Sequence, residues 1–120
     1  MDLGAAADPD FIIDLFSGLG PVTVRRMFSG SGVFDDGLMI ALVADGVIYL
    51  KADDSFTPLF EREQQRPFSY KTRDGKRTLT SYWRMPERLY DEPDEFAEWA
   101  RHAMATARRA AVKTSKRRKS

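Results

Sequence analysis

The stretch RRMFSGSGVFDDGLMIALVADGVIYLK, residues 25–51, most restricts what this chain can fold into. It alternates apolar, β-branched segments with two short turn signals, Asp35-Asp36-Gly37 and Asp45-Gly46. An Asp-Gly pair supplies two residues that tolerate positive φ, which a tight hairpin turn needs if it is to follow the twist of its flanking strands. The spacing therefore predicts a three-stranded antiparallel meander over residues 25–34, 38–44 and 47–51. Its first strand is interrupted by Ser29-Gly30-Ser31-Gly32, and glycines inside a strand mark a bulge or a close approach of another backbone.

The middle strand of this meander is apolar on both sides. Strict alternation puts Leu38, Ile40 and Leu42 on one face and Met39, Ala41 and Val43 on the other. A strand apolar on both faces is expected to be buried on both. Helices elsewhere in the chain suffice to cover one face of a small sheet, so the other is expected to be covered in part by a second subunit, as a homodimer, or else by curling of the sheet edge or a covering loop.

Around the meander the signals are conventional. Asp8-Pro9-Asp10 starts a helix, with Asp8 as the cap and Phe11, Ile12, Leu15, Phe16 and Leu19 at helical spacing. This helix is predicted over 9–19, ending at Gly18, Gly20 and Pro21. Ser55 is the expected cap of a second helix that ends near Gln64 or Gln65. Two further strands are predicted over 68–71 and 78–84, with Asp74-Gly75 as their turn. A last helix begins in the acidic run Asp91-Glu92-Pro93-Asp94-Glu95 and is predicted to reach Val112, with Phe96, Trp99, Ala100, Ala103, Ala107, Ala110 and Ala111 as its packing stripe. The expected architecture is α+β: one two-layer domain with an antiparallel five-stranded sheet, in the order α-β-β-β-α-β-β-α. A flexible N-terminus (1–8), the domain (9–112) and a disordered basic tail (113–120) complete the division.

Composition narrows the function classes. The chain has 120 residues, 42% of them hydrophobic and 12% aromatic, which suits one folded domain. With no apolar run long enough to span a bilayer and no basic-then-apolar leader, the expected location is the cytoplasm. The absence of cysteine removes disulfides, thiolate zinc sites and cysteine nucleophiles, and a single histidine leaves any triad or His-rich metal site resting on His102. The net charge of +1 conceals a split: after position 100 every charged residue is basic, so the preceding body must be acidic. Such asymmetry points to an anionic partner or to a solubilising tail.

No motif with catalytic spacing emerges. Ser29-Gly30-Ser31-Gly32 fits neither GxxxxGK[ST] nor GxGxxG, and it leads into a strand rather than a helix N-terminus. Nor does Ser31 lie in GxSxG, since Val33 occupies the last position. His102 follows Glu98 by one helical turn, but no second metal ligand stands at a suitable spacing, so a solvated surface role is expected. Asp35/Asp36 and Asp53/Asp54 sit at turn or cap positions, where aspartate serves backbone hydrogen bonding. The chain is accordingly expected to be no enzyme, with no catalytic, cofactor or metal residues. Two sets of contact residues remain. Tyr70, Tyr82 and Trp83 share a hairpin with Lys71, Arg73, Lys76, Arg77 and Arg84, a mixture that can stack on and neutralise single-stranded nucleic acid, or simply divide between core and solvent. Lys113, Lys116, Arg117, Arg118 and Lys119 form a tail able to meet phosphates without fixed geometry. For protein contact the candidate surface is Met39, Ala41 and Val43, with Tyr70, Tyr82 and Arg84.

The segments VTVRRMFSGSGVF, DGLMIALVADGVIYLK, PFSY and SYWRMPERLYDEPDEFAEWARHAM, in that order and spacing, resemble the N-terminal domain of the TfoX/Sxy family of bacterial competence regulators. The likeness spans about residues 10–111. Family members commonly carry Gly-Gly after the Met-Phe pair, where this chain has Ser29-Gly30. The resemblance implies the same element order and a regulatory role: co-activation of competence genes with the cyclic-AMP receptor protein at promoters. It implies no catalytic residue and no cofactor. Full-length relatives add a C-terminal helical domain, and a stand-alone copy ending in the basic tail is expected here. The expectation is a non-enzymatic protein-interaction domain, with direct nucleic-acid binding through the tail as the alternative and a small-ligand binder or enzyme behind both.

Overall fold

A computed structural model describes residues 8–27 and 30–119, with side chains as far as Thr114. Both Asp-Gly signals turn the chain as expected. Asp36 and Gly37 have φ of 52° and 79°, and Asp45 and Gly46 have 51° and 75°. Two consecutive positive values define the type I′ turn that connects twisted antiparallel strands.

The elements follow in the order α1 (Pro9–Leu15), β1 (Thr23–Met27), β2 (Gly30–Asp35), β3 (Leu38–Ala44), β4 (Val47–Lys51), α2 (Thr57–Arg62), β5 (Pro67–Thr72), β6 (Gly75–Arg84) and α3 (Pro93–Lys119). Short 3-10 turns occupy Phe16–Gly18 and Glu87–Asp91. All six strands form one antiparallel sheet ordered β1-β2-β3-β4-β6-β5. The class is α+β as expected, but the sheet has six strands rather than five. The difference lies in residues 25–34, which do not make one interrupted strand: the chain reverses between Met27 and Gly30, which pair with each other, so two strands form where one was expected.

Helix boundaries also move. Asp8 caps α1, its Oδ1 accepting from the Asp10 amide at 3.0 Å, but the α-helix stops at Leu15 and a 3-10 turn finishes the segment. Ser55 does not cap α2. The chain turns instead around Asp53, whose Oδ1 accepts from the Ser55 amide at 3.1 Å and the Ser55 hydroxyl at 2.6 Å. The β5–β6 turn lies at Arg73-Asp74, one residue earlier than expected, because Thr72 pairs with Gly75. Finally, α3 runs through Lys119 rather than stopping at Val112, so the stretch expected to be a disordered tail continues the helix. Its lysines and arginines are good helix formers and sit at the negative end of the helix dipole.

The helices lie on one side of the sheet. Ile12 and Phe16, Phe56 and Phe60, and Phe96, Trp99, Ala100, Ala103 and Ala107 share one core with Val33, Ile40, Ala41, Val43, Ile48 and Leu50. Within it Phe60 meets Trp99 edge-on at 4.9 Å, and Phe16 meets Phe96 likewise at 4.9 Å. Small alanines on α3 let the helix approach the strands closely, as its stripe anticipated.

Candidate functional site: the open face of the sheet

Which residues face away from the helices is set by one irregularity. Val33 pairs with Ala41 and Phe34 with Met39, so Ile40 is an extra residue in β3. A bulge of this kind puts neighbouring side chains on the same side and resets the alternation. Ile40, Ala41 and Val43 are therefore all buried beneath the helices, at 0%, 0% and 2% exposure. This corrects the expected surface: Ala41 and Val43 are core residues, and only Met39 of that trio stays outside. Leu42, assigned by strict alternation to the face of Ile40, joins Met39 on the open side.

Register extends this face across the sheet. Leu42 lies opposite Gly32 on β2 and Tyr49 on β4, Tyr49 lies opposite Arg84 on β6, and Lys51 opposite Tyr82. Two regions result. Over β1–β3 the half-buried Met27, Phe34 and Met39 close around Gly32, where a Cβ would meet Met27 Sδ and Phe34 Cε1 at 2.8 Å. The Arg25 guanidinium lies 5.0 Å above the Phe34 ring. Over β4, β6 and β5 the face is aromatic and cationic. Tyr49 and Phe68 meet edge-on at 4.9 Å, and Phe68 stacks against Tyr70 at 5.7 Å. Lys51 Nζ lies 4.8 Å from the Tyr82 ring centre. Desolvation by this partial burial lowers the Lys51 pKa and raises that of the Tyr82 phenol. Arg84 and Tyr70 are exposed, Tyr70 at 43%.

The structure thus brings Tyr70, Tyr82, Arg84 and Met39 onto one face. Trp83 points the other way, packing its ring near Phe60 at 5.9 Å and donating its indole N–H to Thr80 O at 2.9 Å. Missing from the sequence reading were Tyr49, Lys51 and Phe68, which only strand register places beside Tyr70 and Tyr82. Period-two alternation within β4 carried part of that signal, since Ile48 and Leu50 fill the core while Val47, Tyr49 and Lys51 oppose them.

The chain belongs to the TfoX N-terminal domain family. The model of that family, described as the TfoX N-terminal domain, matches residues 14–107, most of the chain and nearly all of the sheet-and-helix body. No curated protein matches the sequence. In this TfoX N-terminal domain the open face lies entirely within the matched residues.

The remaining candidates have structural partners. Asp53, besides holding Ser55, accepts from Arg109 Nε at 3.1 Å and Nη2 at 2.9 Å, and the same guanidinium donates to Thr106 Oγ1 at 3.2 Å. The Ser55 hydroxyl, and after it Arg109, hold the Asp53 carboxyl below its usual range. Asp36 occupies a turn, and Asp35 Oδ2 is buried with Arg108 Nη2 at 3.6 Å. His102 is exposed, with its ring stacked 4.9 Å from Phe56. Among the described residues no His, Asp and Glu group of three or more is placed to share a metal ion. Gly30, Ser31 and Gly32 lie in β2; Ser29 lies outside the described residues, as do residues 1–7. Lys113 is exposed on α3, whereas the side chains of Lys116, Arg117, Arg118 and Lys119 lie outside the described residues. No described helix is long and apolar enough to cross a membrane.

Proposed function

We propose that this chain is a non-enzymatic, cytoplasmic regulatory domain that acts through protein contact, a competence-regulator-like module of its family. The observation that carries this reading is the uncovered apolar patch of Met27, Phe34, Met39 and Leu42 on β1–β3. Methionine and phenylalanine left half-buried on an open sheet face form an adaptable apolar surface, typical of regulatory docking sites. A transcription partner, or a second copy of the chain, would complete the burial that these side chains lack. The family resemblance favours co-activation with the cyclic-AMP receptor protein as the setting.

The test is sedimentation of the purified chain over a concentration series, alone and with purified cyclic-AMP receptor protein, beside the variant Leu42→Asp. A charge at Leu42 is expected to abolish the contact while leaving thermal stability nearly intact, because the position is only half-buried. A chain that stays monomeric, with no complex at any concentration, would refute the reading.

A further inference from the structure

We propose that the other half of the open face, over β4, β6 and β5, is a stacking platform for single-stranded nucleic acid. This goes beyond protein contact and concerns different residues. Of the strand cations, Arg25, Lys51, Arg77 and Arg84 share the open face with Phe34, Tyr82, Tyr70 and Tyr49, whereas the carboxylate on the strands, Asp35, points to the helix side near Arg108. The acidic residues of the body sit instead on the helices and turns. One face of an acidic domain is thus cationic, and like charges make a second copy a poor occupant of it. An anionic polymer fits.

The rings specify which anion. Tyr49, Phe68 and Tyr70 run as neighbours at 4.9 and 5.7 Å across β4 and β5, while Tyr82 lies beside Lys51 on the same side. Tyr70 presents its ring to solvent, and Leu79, paired with Phe68, is 39% exposed beside it. Aromatic side chains on an open sheet face, interleaved with cations, can stack successive unpaired bases while Lys51 and Arg84 meet the phosphates. A duplex hides its base faces and can use the charges alone. The Lys51 ammonium lies 4.8 Å from the Tyr82 ring centre, which places its charge beside the rings.

Fluorescence anisotropy tests this with the full chain, a labelled oligo-dT and a labelled duplex of equal length, over a salt series. The single strand is expected to bind more tightly than the duplex. Tyr70→Ser should weaken single-strand binding about tenfold, and Tyr70→Phe should retain it. Arg84→Gln should weaken binding and reduce the salt slope by about one, whereas Tyr70→Ser leaves that slope unchanged. Unchanged thermal melting of each variant separates loss of contact from loss of fold, and Tyr82→Ala offers a second ring to remove. Three results would overturn the proposal: no binding at low salt, equal affinity for the duplex, or binding lost only when Lys116, Arg117, Arg118 and Lys119 are changed to serine. Self-association that oligo-dT cannot compete away would place a second copy on the platform and overturn it as well.

Discussion

The two faces of this sheet are built from the same strands, yet they follow different rules. Beneath the helices, side chains are fully buried and interlocked, with Phe56, Phe60 and Trp99 meeting at 4.6, 4.9 and 5.5 Å. On the open face, Phe34, Met39, Leu42 and Tyr49 are only half-buried, and cations lie over two of its rings, Arg25 over Phe34 and Lys51 over Tyr82. A sheet needs one packed face to be stable; the second face is free to carry recognition. What the contrast teaches is that apolar content alone does not locate a core, because β3 contributes apolar residues to both sides and one bulge decides which go where.

The widest separation between the faces is expected in truncations. Phe60→Ala removes a ring in contact with Phe56, Trp99 and Trp83, and should destabilise the domain by about 3–5 kcal/mol. Phe34→Ala removes a ring of the same size from the open face and should cost no more than about 1.5 kcal/mol, since much of its surface is wet already. Urea denaturation of the two variants measures the difference directly. Equal losses would mean that the open face is as much a part of the core as the covered one.

Two glycines of β2 draw the comparison at finer scale. A Cβ on Gly30 would lie 2.1 Å from the carbonyl oxygen of Val43, a backbone atom that cannot move without parting β2 from β3. On Gly32 the obstruction is the ends of the Met27 and Phe34 side chains at 2.8 Å, and those can rotate away. Gly30→Ala should therefore cost about 1–3 kcal/mol and Gly32→Ala less than about 1 kcal/mol, with the second change confined to the open patch. Melting curves rank the pair; the reverse ranking would show that the Met27–Phe34–Met39 cluster is rigid rather than adaptable.

These residues also show what was legible in the sequence. Asp36-Gly37 and Asp45-Gly46 announced their turns because only certain residues tolerate positive φ, and the helical stripe of α3 announced its packing face through period. Glycine within β2 correctly signalled a close backbone approach, which Gly30 makes. The reversal between Met27 and Gly30 was hidden, since the Ser-Gly run from Ser29 to Gly32 reads equally as a bulge within one strand, and so five strands were expected instead of six. The extra residue at Ile40 was hidden too: a bulge changes the phase of alternation without leaving a residue-type mark, and it moved Ala41 and Val43 from the expected surface to the core. The platform was half-visible. Tyr70 and Tyr82 stand out in the sequence as hairpin aromatics, but Tyr49, Lys51 and Phe68 join them only through pairing between strands distant in sequence.

Away from both faces, charge holds the helices together. Arg88 donates from Nε to Glu63 Oε1 at 2.8 Å and from Nη1 to Glu95 Oε1 at 2.8 Å, and it also meets Glu92. One guanidinium thereby ties the end of α2 to the start of α3 across the Glu87–Asp91 turn. Its removal leaves three carboxylates facing one another. Exposed pairs are individually weak, so Arg88→Met should lower the melting temperature modestly at low salt, and added salt, which screens the three unpaired carboxylates, should narrow the gap to the parent chain. The stacking platform, on the opposite side of the sheet, should bind oligo-dT unchanged in this variant. A loss of binding would tie the open face to the helix layer that the comparison keeps apart.

The smallest expected effect is on the acid side. Asp53 is held below its usual pKa by the Ser55 hydroxyl and then by Arg109, and Glu95 is lowered by its hydrogen bond from Arg88. A carboxyl with a depressed folded-state pKa adds stability above its unfolded value, and that contribution disappears as the pH falls through the folded value. The helix layer should therefore loosen below the ordinary carboxylate range, while neutral and mildly alkaline pH leave these contacts unaffected. Asp53→Asn cannot titrate, so its melting temperature should start slightly lower at neutral pH and fall less steeply on acidification than that of the parent chain. If the two curves stay parallel, the Asp53–Ser55–Arg109 contact adds nothing to folding, and the join between α2 and α3 rests on apolar packing and Arg88 alone.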